Sequence, residues 1–307
     1  MTRSRLLADV LLAVVSFIWG STFVVVKGAL TDASPLVFLV LRFSLAVTVL
    51  LLVLGPRTNF RQAGLVSGGL LVGFFLACGY ILQTTGLRYT TPAKSAFITG
   101  LAVALVPVLL AVFFGRPVRF WTGAGVLAAI TGFYFLTIPL GPFTINRGDL
   151  LTMFCALAFA GHIIAVGYFA SRFSYAALGI SQVGAALAFT ALALFTAQGL
   201  HWETPALAWS VRLVLAVAIT GIFATALAFS AQVWAQQHTS PTHTAVLFSL
   251  EPVFAALTSY FARGEQLTGR SLGGAVLILL GILLVELKGP TPTPPELPVR
   301  GTTPEPG

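Results

Sequence analysis

Charged residues divide this chain into long apolar stretches, and the lengths of those stretches predict membrane helices. A spanning helix needs about 20 mostly apolar residues. Val10–Val26 lies between Asp9 and Lys27 and holds no charge, Ser34–Leu54 holds only Arg42, and Gly64–Leu87 and Ser95–Gly115 hold none. Phe120–Pro139 and Leu150–Ser171 follow. Ala176–Ala197 and Leu213–Gln232 then flank a polar loop, Thr242–Ala262 carries one acid (Glu251), and Ser271–Val285 completes ten spans. Turn-forming pairs mark the breaks, as in Gly55-Pro56, Thr91-Pro92, Gly141-Pro142 and Ser240-Pro241. The apolar run after Met1–Arg5 continues to Val26 with no small-x-small cleavage site, so it reads as a span and not as a removed leader. Gly289–Gly307 holds seven prolines and reads as a disordered tail.

Composition narrows the class. Of 307 residues, 57% are hydrophobic and 8% are charged, against about half and about a quarter in soluble domains. Such a chain cannot cover itself with charge, which excludes a soluble monomer and predicts an all-α integral membrane protein. The net charge of +8 would suggest nucleic acid in a soluble protein. Here the basic residues lie between apolar runs and read as loop charges. Cys78 and Cys155 sit inside apolar segments and are too few for a disulfide framework, a zinc ribbon or an iron–sulfur cluster.

The two halves repeat each other. A shift of 149 residues places Thr90-Thr91-Pro92 on Thr239-Ser240-Pro241, Gln83 on Gln232, Ala96 on Ala245, Gly115 on Gly264, Gly125 on Gly274 and Gly132 on Gly281. A shift of 140 places Asp9 on Asp149 and Trp19 on Phe159, so the second half carries nine extra residues near His201–Trp209. Constant offsets with helix breaks in register signal a repeat. Five helices per repeat is an odd number, so the second copy enters the membrane from the opposite side, as in many secondary transporters. This predicts units at 1–147 and 148–288, followed by the tail at 289–307. With the N-terminus inside, Arg3, Arg5, Arg57, Arg61, Arg116 and Arg119 are cytoplasmic. Arg147, Arg212, Arg263 and Arg270 oppose that orientation, and the first half decides it: both termini are expected in the cytoplasm.

Three stretches then point to a family. Trp19-Gly20-Ser21-Thr22-Phe23-Val24-Val25-Val26-Lys27, the pair Arg42-Phe43, and Leu250-Glu251-Pro252-Val253-Phe254-Ala255-Ala256-Leu257 resemble motifs of the EamA family of the drug/metabolite transporter superfamily. The resemblance covers about residues 9–287. It implies a ten-helix exporter of amino acids or other metabolites, with a cavity lined by the first, third, fourth, sixth, eighth and ninth spans. The chain departs from the pattern in the fourth span, where the proline is Pro107 and the counterpart of Glu251 is Ala102.

Polar groups inside the spans are the candidate chemistry. Glu251 lies mid-span, where a carboxylate costs about 2.5–3.5 kcal/mol and must face protein or water. Pro252 removes an N–H and is expected to open the helix at Phe248. Two readings of Glu251 stand: an acceptor for a substrate amine or a proton, or one half of a permanent ion pair. Arg42 reads either as a guanidinium locked to backbone carbonyls or an acid, or as a coupling charge. Lys27 is expected to snorkel to the surface. Lys94 is expected to point into the cavity mouth and meet a carboxylate. His162 reads as an interhelical hydrogen bond or a proton relay. Gln83 and Gln232 read as helix glue or as cavity wall, and Trp19, Tyr80 and Trp234 as aromatic groups with polar handles near the cavity. The pairs Gly64/Gly68, Gly69/Gly73 and Gly269/Gly273 allow close helix packing.

No Walker A pattern, His-Glu-x-x-His or Gly-x-Ser-x-Gly is present. No cofactor or metal is therefore expected, and ATP-driven transport by this chain alone is excluded. The expected protein is a secondary transporter in the cell membrane. Its partners would be a small-molecule substrate and the bilayer, with proton coupling through Glu251 open. Carriers of sugars, nucleotide derivatives or drugs, a lipid-translocating subunit and an intramembrane enzyme are the alternatives.

Overall fold

The charge-bounded stretches fold as helices, and the structure, a computed structural model, describes residues 3–138, 145–263 and 268–288. The helices are α1 (Arg3–Ala29), α2 (Pro35–Val53), α3 (Leu65–Leu87), α4 (Pro92–Gly100), α5 (Ala102–Phe114), α6 (Phe120–Thr137), α7 (Arg147–Ala170), α8 (Tyr175–Gly199), α9 (Val211–Ala218), α10 (Ala228–Gln236), α11 (Pro241–Phe248), α12 (Glu251–Arg263) and α13 (Gly269–Lys288). A π-helical segment, Ile219–Leu227, joins α9 to α10 as one rod. Seven of these segments, counting α4–α5 and α9–α10 as one each, are long and apolar enough to cross a membrane. The shorter apolar stretches in α6 and α13, with the broken pair α11–α12, are consistent with ten spans. The Gly141-Pro142 break, Gly264 and the tail lie outside the described residues.

Two spans are broken, the fourth against the sequence expectation and the ninth just after Phe248, in line with it. The fourth is not one helix: it breaks at Leu101 into α4 and α5, and Pro107 lies inside α5 without ending it. The ninth breaks at Ser249-Leu250, so that Pro252 is the second residue of α12. There its missing N–H belongs to the first turn, which has no intrahelical acceptor, so the proline is tolerated. The two broken spans begin alike. Thr91 Oγ1 accepts the Lys94 N–H ahead of Pro92, and Ser240 Oγ accepts the His243 N–H ahead of Pro241.

Helices meet where side chains are smallest. In lipid the apolar effect does not drive helices together, so close backbone approach matters. A Cβ on Gly132 would stand 2.5 Å from the Gly274 carbonyl oxygen, and one on Gly125 2.6 Å from that of Gly281. α6 and α13 therefore run antiparallel along a glycine seam. Gly69 and Gly73 press against Ser181 and Ala185 of α8, where a Cβ would approach each partner Cβ to 2.5 Å. Gly68 meets the rings of Phe169 and Phe173, and Gly64 is a left-handed cap (φ 81°). The expectation for Gly269/Gly273 fails, because a Cβ on either would meet no described neighbour within 4 Å; the seam uses Gly274 and Gly281 instead.

Each half also reaches across to the other half's broken span. Lys94 Nζ of α4 donates to Asp149 Oδ2 of α7 at 2.5 Å. His243 Nε2 of α11 lies 2.9 Å from Asp9 Oδ1 of α1. The repeat offsets relate the two pairs, Lys94 to His243 and Asp9 to Asp149. The extra residues of the second half have a separate role. Ser34 N–H donates to Ala206 O and Ala208 N–H to Asp32 O, while Asp32 also takes hydrogen bonds from Ser210 and Arg212. Glu203 Oε1 accepts the Leu36 N–H and so caps the first turn of α2.

Candidate functional site

Helices α1, α2, α3, α4, α5, α7, α10, α11 and α12 enclose a cavity of about 840 Å³, including the space at its mouth. It runs from Glu251 past Trp19 and Tyr80 toward Val26 and Leu87, near the C-terminal ends of α1 and α3. Its walls are aromatic. Phe229 is central, with ring centroids 5.2 Å from Trp19, 6.0 Å from Tyr80 and 5.4 Å from His162. Tyr80 is also set edge-on to Phe159 at 5.3 Å and to Phe43 at 5.6 Å, which fixes its ring.

The charged groups of the cavity are held unequally. Glu251 opens α12 and lines the cavity, and its carboxylate makes no hydrogen bond or ion pair with any described residue. Its backbone packs against Gly20 of α1, where any side chain would strike the Glu251 carbonyl oxygen. Arg42 is buried and firmly held. Nε donates to Thr225 Oγ1 at 2.7 Å, and Nη2 donates to Tyr80 Oη at 2.9 Å and to Ala224 O at 3.2 Å. Its Cζ lies 4.2 Å from the Tyr80 ring centroid.

The π-helical register supplies two of those acceptors. The Ala228 N–H, the ordinary α-helical donor to Ala224 O, bonds to the carbonyls of Phe223 and Thr225 instead. Ala224 O is thereby free for Arg42 and for Trp19 Nε1, which donates to it at 2.9 Å. Thr225 Oγ1 donates in turn to Thr220 O, five residues back. Such π segments often mark functional sites in helices.

The structure brings most of the sequence candidates together. Trp19, Tyr80, Gln83, His162, Gln232, Glu251 and Arg42 all line the cavity. The equivalent amides have unlike partners: Gln83 Nε2 donates to Thr99 Oγ1 and Gln232 Nε2 to Gln236 Oε1. His162 Nε2 lies 2.9 Å from Gln182 Oε1 across the α7–α8 contact.

Three candidates are placed elsewhere. Lys94 does not line the cavity. It meets a carboxylate, but that of Asp149, which also takes hydrogen bonds from Thr90 Oγ1 and the Asn146 N–H. The reason is local: Asp149 caps α7 with Asn146, and α4 begins beside that cap. Lys27 does not extend freely to the surface; its Nζ donates to the carbonyls of Leu87, Arg88 and Thr90 at the end of α3. Trp234 lies against His238, ring centroids 4.3 Å apart and tilted by 34°, and does not line the cavity. Sequence reasoning missed Phe229, Phe248, Thr22, Thr84 and Thr99. Phe159 had a signal, since the 140-residue shift pairs it with Trp19.

Comparisons with known proteins agree with this architecture. An uncharacterized transporter of Archaeoglobus fulgidus is 36% identical over 285 residues, covering 92% of this chain and 87% of that protein. The uncharacterized transporter YyaM of Bacillus subtilis is 26% identical over 290 residues, covering 87% and 90%. A solved crystal structure covers 91% of this chain and 96% of its own with a TM-score of 0.74 at 21% identity, and so shares the fold. The EamA-like transporter family matches twice, over residues 6–138 and 146–287. A multi-pass helical bundle around a cavity, matched twice over nearly its whole length, identifies this chain as a transporter, not an enzyme, and as a member of the EamA-like family.

Proposed function

We propose that this chain is a secondary carrier that exports a small metabolite such as an amino acid across the cell membrane. The α1–α12 cavity opens alternately to the two sides, and Glu251 accepts the substrate amine or a coupling proton. The single observation that carries this reading is Glu251 itself. A carboxylate within a membrane span is costly unless it meets a partner or water, and this one faces a cavity with no described partner. An acceptor without a donor inside a cavity is suited to a ligand that brings one.

Two observations support a pair of inverted units, 1–147 and 148–288. Gly125 meets Gly281 and Gly132 meets Gly274, whereas the repeat pairs Gly125 with Gly274 and Gly132 with Gly281. That exchange is the relation a two-fold axis between α6 and α13 produces. The Asp9–His243 and Asp149–Lys94 pairs obey the same exchange. With both termini cytoplasmic, the Val26 and Leu87 end of the cavity lies toward the outer side.

The test is counterflow of labelled amino acids and metabolites into proteoliposomes holding the purified chain, with Glu251→Gln beside the wild type. The variant is expected to express and melt normally while transport, or its pH dependence, is lost. Unchanged transport with an unchanged pH profile would remove Glu251 from the mechanism. Absence of counterflow for every compound in wild type would remove the carrier reading.

A further inference from the structure

Arg42 is a fixed cation in the cavity wall, and among the described residues it has no acid beside it. Three neutral oxygens hold its guanidinium: Thr225 Oγ1, Ala224 O and Tyr80 Oη. Each oxygen is itself held. Thr225 is tied to Thr220 O, Ala224 O is freed by the π register at Ala228, and the Tyr80 ring is wedged between Phe43 and Phe159. Nη1 differs from the other two nitrogens. It makes no hydrogen bond with a described residue, yet it is not one of the buried polar atoms sealed from solvent. Arg42 therefore presents one free donor edge at a surface that lines the cavity. The other basic side chains near the cavity are engaged elsewhere, Lys27 on the end of α3 and Lys94 on Asp149.

A guanidinium serving only to join α2 to the π segment has no need to face a cavity. One held by neutral groups keeps its full charge for a ligand, because no carboxylate beside it neutralises that charge. We propose that Arg42 is the anion subsite of this cavity, receiving through Nη1 the carboxylate, or an equivalent monoanionic head, of the transported solute. This rests on the carrier reading of the cavity and adds the charge that its ligand must carry. The solute lies with its anionic end against Arg42 and Tyr80 and its apolar part among the rings of Phe159, Phe229 and Trp19. Thr225 and Ala224 are positioning residues, because they hold the guanidinium and do not touch the ligand.

The experiment uses the full chain in lipid nanodiscs, with the twenty standard amino acids and the carboxamide of each as probes. Ligand-dependent melting is the readout. At least one acid is expected to stabilise the protein, with its carboxamide weaker by about tenfold or more, since a site built for an ionised partner rejects the analogue that lacks it. Arg42→Gln should abolish that discrimination, and Arg42→Lys should keep part of it. Thr225→Val keeps the charge and loosens its mooring, so it should weaken acid binding several-fold; it serves if the Gln variant does not fold. Three results overturn the subsite: no acid binds, every acid and its amide bind alike, or a folded Arg42→Gln or Thr225→Val variant keeps the wild-type acid preference. Counterflow separates the two proposals. Translocation of amides and acids without distinction removes the subsite and leaves the carrier. Arg42-dependent acid binding without counterflow removes the carrier and leaves the subsite.

Discussion

Two adjacent glycines of α13 should answer the same substitution with opposite signs. A Cβ on Gly274 would lie 2.6 Å from both Gly132 O and Leu136 N and 3.1 Å from Leu136 Cα. Ordinary carbon contacts are about 3.5–4.0 Å, so α6 and α13 would have to separate by about 1 Å. All three obstacles are backbone atoms, and no rotamer change relieves them. Overpacking of this kind costs about 1–3 kcal/mol, so Gly274→Ala should destabilise the protein by that much. A Cβ on Gly273 would meet no described neighbour within 4 Å. There alanine only improves helix propensity, a gain of about 0.5–1 kcal/mol. The two variants should thus differ by about 1.5–4 kcal/mol, although they change neighbouring residues in the same way. Unfolding of both proteins in mild detergent beside the wild type, by heat or by titration with a denaturing detergent, reads the difference. If Gly274→Ala unfolds with the wild type, or the two variants shift together, the seam is not a backbone contact and the packing argument is wrong.

Hydrogen bonds from Arg212 and then Ser210 hold the Asp32 carboxyl down from its ordinary 3.8 to about 2. A folded value below the unfolded one gives stability that is present above about pH 4 and lost as pH falls through about 2. The melting difference between wild type and Asp32→Asn should therefore stay constant from about pH 8 to about pH 5; a difference that already shrinks in that window would contradict the pairing. Single cysteines introduced at Thr58 and Gln198, with Cys78 and Cys155 replaced, should label from opposite sides of the membrane. Labelling from one side would refute the inverted arrangement.

The spans were legible because charge cannot remain unpaired in lipid, so Asp9, Lys27, Arg61 and Arg88 mark boundaries in any such chain. The boundaries themselves slipped where a charge found a partner. α1 begins at Arg3, before Asp9, because His243 lies beside that carboxylate. The repeat was legible from Gly125, Gly132, Gly274 and Gly281, but the sequence does not say which faces which. For the same reason Gly273 looked as eligible for the seam as Gly274. The cavity residues were readable where a polar group interrupts an apolar run, as at Arg42, Tyr80 and Glu251. Phe229 and Phe248 were not, since one phenylalanine among 25 carries no mark of the surface it faces. The π segment was illegible too: Ile219–Leu227 reads as ordinary apolar helix, and its register depends on Arg42 and Trp19, which lie far away in sequence. Lys94 was expected to meet a carboxylate and does. What the sequence lacked was that α4 starts beside the cap of α7.

The two crossed side-chain pairs also set an order of events as the chain is made. Lys94 and Asp149 are 55 residues apart, whereas Asp9 and His243 are 234 apart. At a synthesis rate of about 5–20 residues per second, the first pair is complete within about ten seconds, while Asp9 waits some tens of seconds for its imidazole. Until then the Asp9 face of α1 lacks α11, which carries that imidazole and arrives almost last. The bundle is closed in two late steps: α11 and α12 dock back onto α1, and α13 then docks onto α6. A nascent chain stalled just before His243 would hold every helix of the first half, with Asp9 still without its imidazole and α6 still without α13.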